Sequence, residues 1–158
     1  MELAENPLDL RALARDAAEM VRISMESRHQ EFRKRLEKDH IGFVCTNGQL
    51  NLCGYVLLDL IQKSGIPMYY AGDFDPEGIL IADKLKQRYK DNLHLWKSSV
   101  EEYRAILSSS SISEKRLLSL QSCRSEELQA LCRELEQYKY SGYQEALLPL
   151  YLEEIRNA

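Results

Sequence analysis

A short apolar segment, Met68-Tyr69-Tyr70-Ala71, runs into Gly72-Asp73-Phe74-Asp75-Pro76-Glu77-Gly78, and a helical pattern starts at Pro76. Aromatic residues favour an extended strand, and proline is well tolerated in the first turn of a helix. The segment therefore reads as strand, loop, helix, with its acids at the carboxyl end of the strand. Residues two apart on an extended chain point the same way, so Asp73 and Asp75 can aim both carboxylates at one point. Two hard anionic oxygen donors at that spacing suit a Mg²⁺-type cation, an ion commonly used to handle phosphate.

The flanking chain supplies the context. Leu10, Leu13, Ala14, Ala17, Met20 and Val21 follow a 3.6-residue period within a helix expected from Leu8 to about Lys38. Ile41-Gly42-Phe43-Val44-Cys45 reads as a buried strand and Thr46-Asn47-Gly48 as a turn. Leu50 to Lys63 reads as an apolar helix closed by Ser64-Gly65, with Pro67 just beyond. Helix is then expected over Pro76 to Tyr89, strand over Leu93 to Trp96, and helix from Ser99 through Leu107. The serine run within residues 108–112 predicts a flexible loop, followed by helical segments at Glu114 to Leu120, Ser125 to Tyr138 and Tyr143 to Ile155.

Strands alternating with helices imply βαβ crossovers. The expected fold class is α/β: a parallel sheet of about four strands flanked by helices, with a helical C-terminal region, in one domain over residues 1–158. The fourth strand would be a stub at Met1 to Ala4. In such sheets ligands bind outside the carboxyl ends of the strands. That rule sends Glu5-Asn6-Pro7, Thr46-Asn47-Gly48 and the Asp73–Asp75 loop to one edge.

A net charge of −4 argues against a domain that holds nucleic acid by bulk positive charge. Basic residues cluster locally, at Arg28, Arg33, Lys34, Arg35 and Lys38, and at Lys84, Lys86, Arg88 and Lys90. Such runs are ordinarily solvated helix faces, but the second lies on the helix after the acidic loop. That makes Lys84 and Arg88 candidates for contact with a DNA strand. Thr46, Asn47 and Gly48 are candidates for phosphate contact through hydroxyl and backbone N–H donors, or else form a simple turn. The four cysteines include no C-x-x-C pair and read as reduced, small apolar residues. No apolar run is long enough to span a membrane, so a cytoplasmic protein without a membrane partner is expected.

Other readings of the acidic motif meet obstacles in the residues. A calcium EF-hand loop would need glutamate where Lys84 stands and would not contain Pro76. An aspartyl nucleophile of the haloacid-dehalogenase type would need a hydroxyl residue where Glu77 stands. Acids that merely favour a helix N-terminus leave unexplained why Asp73 ends a strand beside a second carboxylate, where like charges repel.

The arrangement resembles a Toprim domain, the metal-binding catalytic fold of topoisomerases and primases. Gly72-Asp73-Phe74-Asp75-Pro76-Glu77-Gly78 looks like the version in the A subunit of topoisomerase VI, with Glu5 matching the family glutamate. The likeness is greatest to the C-terminal domain of nuclease subunits from Wadjet-type, condensin-like plasmid-defence systems. It is carried by Glu5-Asn6-Pro7, Cys45-Thr46-Asn47-Gly48-Gln49, the acidic motif, Trp96-Lys97-Ser98-Ser99 with Tyr103, and Gln144-Glu145-Ala146-Leu147-Leu148, in that order.

The resemblance implies cleavage of the DNA backbone with Mg²⁺ or Mn²⁺. Glu5, Asp73 and Asp75 would be the catalytic and metal-binding residues, with Glu77 joining a second ion or capping its helix. It also implies that the chain is the C-terminal part of a longer protein, working with that protein's N-terminal domain, with condensin-like (SMC-type) subunits and with DNA. The rival expectation is a non-catalytic scaffold or docking domain that binds a partner subunit through its C-terminal helices.

Overall fold

A computed structural model of the chain describes Val44, Thr46 and residues 48–157. Glu5, the expected helix over Leu8 to Lys38, the stub at Met1 to Ala4, Asn47, and most of the Ile41–Cys45 segment lie outside the described residues. Val44 and Thr46 are in neither helix nor strand.

Helix α1 spans Leu52–Lys63. Asn51 caps it, its side-chain oxygen accepting from Gly54 N at 2.9 Å, which satisfies one of the free N–H groups of the first turn. Beyond its C-terminus Gly65 takes φ +69°, which suits glycine. Strand β1, Met68–Tyr70, pairs in parallel with β2, Leu93–Leu95, in the register Met68 with Leu93 and Tyr70 with Leu95. Helix α2, Pro76–Tyr89, is the crossover between them. The sequence pattern anticipates this βαβ unit at nearly every boundary.

A short helix α3, Val100–Ala105, follows with a capping box in which Ser99 and Glu102 satisfy each other's backbone N–H groups. It stops before Leu107. Residues Leu107–Ser111 form strand β3, antiparallel to β4, Tyr140–Gly142. The expected flexible loop is thus a strand. Leu107 and the buried Ile112 anchor its ends. Ile112 N donates to Lys139 O at 2.8 Å, and Ser108 and Ser141 exchange a hydroxyl hydrogen bond at 3.3 Å. Four polar serines look like a loop until a partner strand supplies what their backbones and hydroxyls need.

Helix α4, Glu114–Leu117, runs into a 3-10 turn, Leu118–Ser122. Helix α5, Glu126–Tyr138, buries Leu128, Leu131, Cys132 and Leu135, the spacing of an amphipathic helix. After β4 a 3-10 turn, Gln144–Leu147, leads into α6, Leu148–Asn157.

The described strands form two two-stranded sheets, one parallel and one antiparallel, rather than a parallel sheet of four. They are linked at one point, where Phe74 and Gly142 form an antiparallel bridge with N–H···O distances of 2.8 and 3.0 Å. The larger apolar core joins Phe74, Ile79, Tyr103, Leu128, Leu135 and Leu147, and so draws α2, α3, α5 and the C-terminal segment together. A second core of Met68, Ile81, Leu85, Tyr89 and Leu93 is covered by half-buried residues of α1. Helix α2 faces both. Among the described residues no helix is long and apolar enough to cross a membrane.

Candidate functional site

Residues 71–75 connect the carboxyl end of β1 to α2. Phe74 points into the core, only 2% exposed, and Asp73 and Asp75 on either side of it are half-buried. Each aspartate is fixed by a backbone N–H. Asp75 is the N-cap of α2, its Oδ1 accepting from Gly78 N at 2.7 Å. Asp73 Oδ1 accepts from Gln144 N at 2.9 Å, across from the C-terminal segment. The loop also dictates its glycine: a Cβ on Gly78 would lie 2.2 Å from the Asp73 carbonyl oxygen.

The loop is electrostatically crowded. Burial raises the Asp73 carboxyl above the usual aspartate range, and the charges of Glu145 and Asp75 push the same way, against the lowering effect of the Gln144 N–H. Burial, then Asp73 and Asp75, raise the Tyr70 phenol as well. A crevice of about 10 Å³, room for one water, lies against Tyr70, Asp73, Ile79 and Ser98. The Tyr151 hydroxyl is fully buried without a hydrogen-bond partner among the described residues. Its ring lies against Trp96, with centroids 4.5 Å apart. Burial raises its phenol, and Glu102, Asp73 and Glu145 add to the shift.

Among the described residues, Arg116 is the cation bonded to the acids Asp75 and Glu77. Arg116, from α4, sends Nη2 to Asp75 Oδ2 at 2.8 Å and to Glu77 Oε2, and Nε to Glu77 Oε1 at 3.0 Å. The guanidinium holds the Glu77 carboxyl below its ordinary range. Asp75 therefore has one oxygen on its own helix and the other on Arg116, and Glu77 is held by Arg116.

The remaining expected site residues are dispersed. Thr46 Oγ1 donates to Gly48 O at 3.1 Å, a local exposed turn with Gly48 at φ +98°. Lys84 is exposed on α2, two turns beyond Glu77. Arg88 grips Asp59 of α1 through both arms, at 2.9 and 2.6 Å, and lies over the rings of Tyr55 and Tyr89. It fastens α1 to α2. Among the described residues no group of three or more His, Cys, Asp or Glu side chains is placed to hold a metal ion.

The donor chemistry nevertheless fits a hard cation in part. Asp73 and Asp75 offer carboxylate oxygens on one loop, and the Arg116 guanidinium supplies a positive charge beside Asp75. Arg116 and Tyr151 escaped the reading of the sequence, because a lone arginine 41 residues from its partner and a tyrosine on the apolar face of an amphipathic helix carry no local signal. Gln144 was legible only by its order after the acidic motif, and it acts through its backbone rather than its side chain.

No curated protein and no solved structure matches the chain. A family model does, described as "Protein of unknown function C-terminus (DUF2399)", and it extends over residues 2–155, taking in the acidic loop, Arg116 and Tyr151. The chain belongs to this family.

Proposed function

We propose that this is a Toprim-type domain that cleaves the DNA backbone with Mg²⁺ or Mn²⁺, akin to the C-terminal domain of Wadjet-type nuclease subunits. The observation that carries the reading is the position of Asp73 and Asp75. They share a loop at the carboxyl end of a parallel strand, in the first βα connection of a βαβ unit, which is where open α/β sheets do their chemistry. The raised Asp73 carboxyl supports it, since perturbed carboxylates concentrate at functional sites.

In this reading Asp73 and Asp75 hold the cation, with Glu5 as a further ligand or general base. The cation supplies charge stabilisation to the phosphate and the leaving 3′ oxygen. The chain's own part is positioning. The Gln144 N–H orients Asp73, the helix cap holds Asp75 through Oδ1 while Arg116 takes Oδ2, and Gly78 lets the α2 N-terminus approach the loop. Water is the favoured nucleophile. Thr46, Asn47, Gly48 and Lys84 are candidate DNA contacts, whereas Arg88 is already engaged with Asp59. The working assembly would include SMC-type subunits and foreign DNA in the cytoplasm.

The test is plasmid nicking by the full-length protein with Mg²⁺ or Mn²⁺, comparing wild type with Asp73→Ala and Asp75→Ala. Loss of nicking in both variants is expected, and equal activity in all three removes the assignment.

The Arg116 ion pair favours a second reading. A guanidinium that already neutralises Asp75 and Glu77 is also what a structural clamp looks like, and a docking domain needs nothing more. Titration with Mn²⁺ separates the two, because a scaffold need not bind the ion at this loop.

A further inference from the structure

The two faces of the parallel β1–β2 pair are treated differently. Met68 and Leu93 are buried on one of them, in an apolar cluster with Leu85 of α2 and Leu58 of α1. Side chains alternate across a strand, so Tyr69 and His94, which are paired in register, stand on the other face, and both are exposed. Tyr69 is a large ring left 64% in solvent. Its centroid lies 5.2 Å from that of His94 and 6.4 Å from that of Trp96. Tyr151 of α6 covers the Trp96 end of this aromatic strip, at 4.5 Å. Among the described residues no helix covers Tyr69 or His94.

Parallel strands ordinarily have helices on both faces. Two strands about 4.8 Å apart need only one helix, about 10 Å across, to cover them. Helices α1 and α2 are committed to the first face, and α6 reaches only as far as Trp96. Residues 1–43 lie outside the described residues, and their sequence carries a matching stripe. Leu10, Leu13, Ala14, Ala17 and Val21 recur at helical spacing, with Arg15 and Glu19 on the opposite side. The two alanines would let a helix backbone come close to flat rings. The outer side of α1, where Leu52 and Val56 are exposed, is a rival seat. A helix ordinarily keeps one side in water, however, whereas a parallel strand pair does not.

We propose that the Tyr69–His94 face is an intramolecular docking surface, and that its occupant is residues 8–21 of the same chain, seated by their apolar stripe. The segment closes the βαβ unit on its second side. This holds whether or not the acidic loop binds a metal.

The experiment is disulfide trapping in the full chain, with Cys45→Ser and Cys53→Ser as background. Tyr69→Cys, at an exposed position that tolerates change, is combined in turn with Leu10→Cys, Leu13→Cys and Ala17→Cys. Mild oxidation should join residue 69 to at least one of the three within a single chain, about tenfold faster than to Glu19→Cys. The same three positions paired with Val56→Cys should stay unjoined. Faster joining to residue 56 moves the segment to α1 and overturns the proposal. Covalent dimers in place of the internal link assign the face to a second copy and overturn it, as does the absence of any link to residue 69. Trp96, the single tryptophan of the chain, gives a second readout. Leu13→Glu should raise its quenching by acrylamide about twofold, whereas Leu13→Met, which keeps the stripe, should leave it at the wild-type value. Quenching that ignores Leu13→Glu overturns the proposal. So does shielding of Trp96 gained only when a single-stranded oligonucleotide is added to the wild type, which would give the face to stacked bases.

Discussion

The buried carboxylate of Asp83, on α2, pins the chain as it enters a different helix: its Oδ1 accepts from Ser125 N at 2.8 Å and from the Ser125 hydroxyl at 2.6 Å, just before α5. Arg124 N adds a third bond at 3.1 Å, and Gln87 covers the other oxygen. The residue is only 3% exposed. Asp83→Ala should therefore cost about 1–3 kcal/mol, the usual consequence of leaving buried donors unpaired. Urea denaturation at neutral pH measures it.

The same residue sets an acid limit. Burial pushes the Asp83 carboxyl up, but the hydrogen bonds from Ser125, Arg124 and Gln87 prevail and leave it below the ordinary value. A depressed folded-state value means that the unfolded chain binds the proton first. The contribution is thus complete above the ordinary carboxylate range, about pH 4, and is lost as pH falls through the folded value. Asp83→Asn should flatten this limb in a series of denaturation curves from pH 6 to pH 2, and an unchanged acid limb would refute the assignment.

Gly78 is required by contact rather than by its own dihedral angles. Alanine there puts a methyl group 2.2 Å from the Asp73 carbonyl oxygen. Something must move, and the atoms that can move belong to the loop and the first turn of α2. Gly78→Ala should cost about 1–3 kcal/mol, as overpacking does. It should also broaden the amide resonances of Asp73 and Asp75, which a structurally silent position would not do.

Tyr151 makes the opposite prediction. Its hydroxyl is buried without a described partner, so Tyr151→Phe removes a desolvation penalty and keeps the packing on Trp96. The melting temperature of the metal-free protein should stay level or rise. A clear fall would show that the hydroxyl has a bonded partner in solution.

Arg88 and Asp59 join α2 to α1, a helix with half-buried but no fully buried residues. Arg88→Ala should speed hydrogen exchange in α1 several-fold and leave α5 unaffected. Uniform exchange across both helices would mean that the pair does not hold α1.

The sequence made the βαβ unit legible because its signals are local. Asn51, Ser64-Gly65 and Pro76 mark helix ends, and Met68–Ala71 and Leu93–Trp96 announce strands by composition alone. It concealed the β3–β4 pairing for the converse reason. Ser108–Ser111 has no pattern of its own, and Tyr140–Gly142 is too short to show one; each becomes a strand through the other. The acidic residues were visible as a spacing, and Asp75 does cap α2. What was hidden is what they touch. Arg116 and Gln144 reach the loop through tertiary packing, and no short window along the chain contains both them and Asp73.

The bridge between Phe74 and Gly142, with the neighbouring bond from Gln144 to Asp73 spanning 71 residues, has a consequence for how the molecule is made. The loop bearing the aspartates emerges from the ribosome before β4, the strand that anchors it. Until residues 140–144 are synthesised, Asp73 lacks its clasp and Phe74 its mate. The final arrangement of the loop is therefore withheld from the nascent chain, and a break in the chain that freed β4 would loosen the loop from a distance.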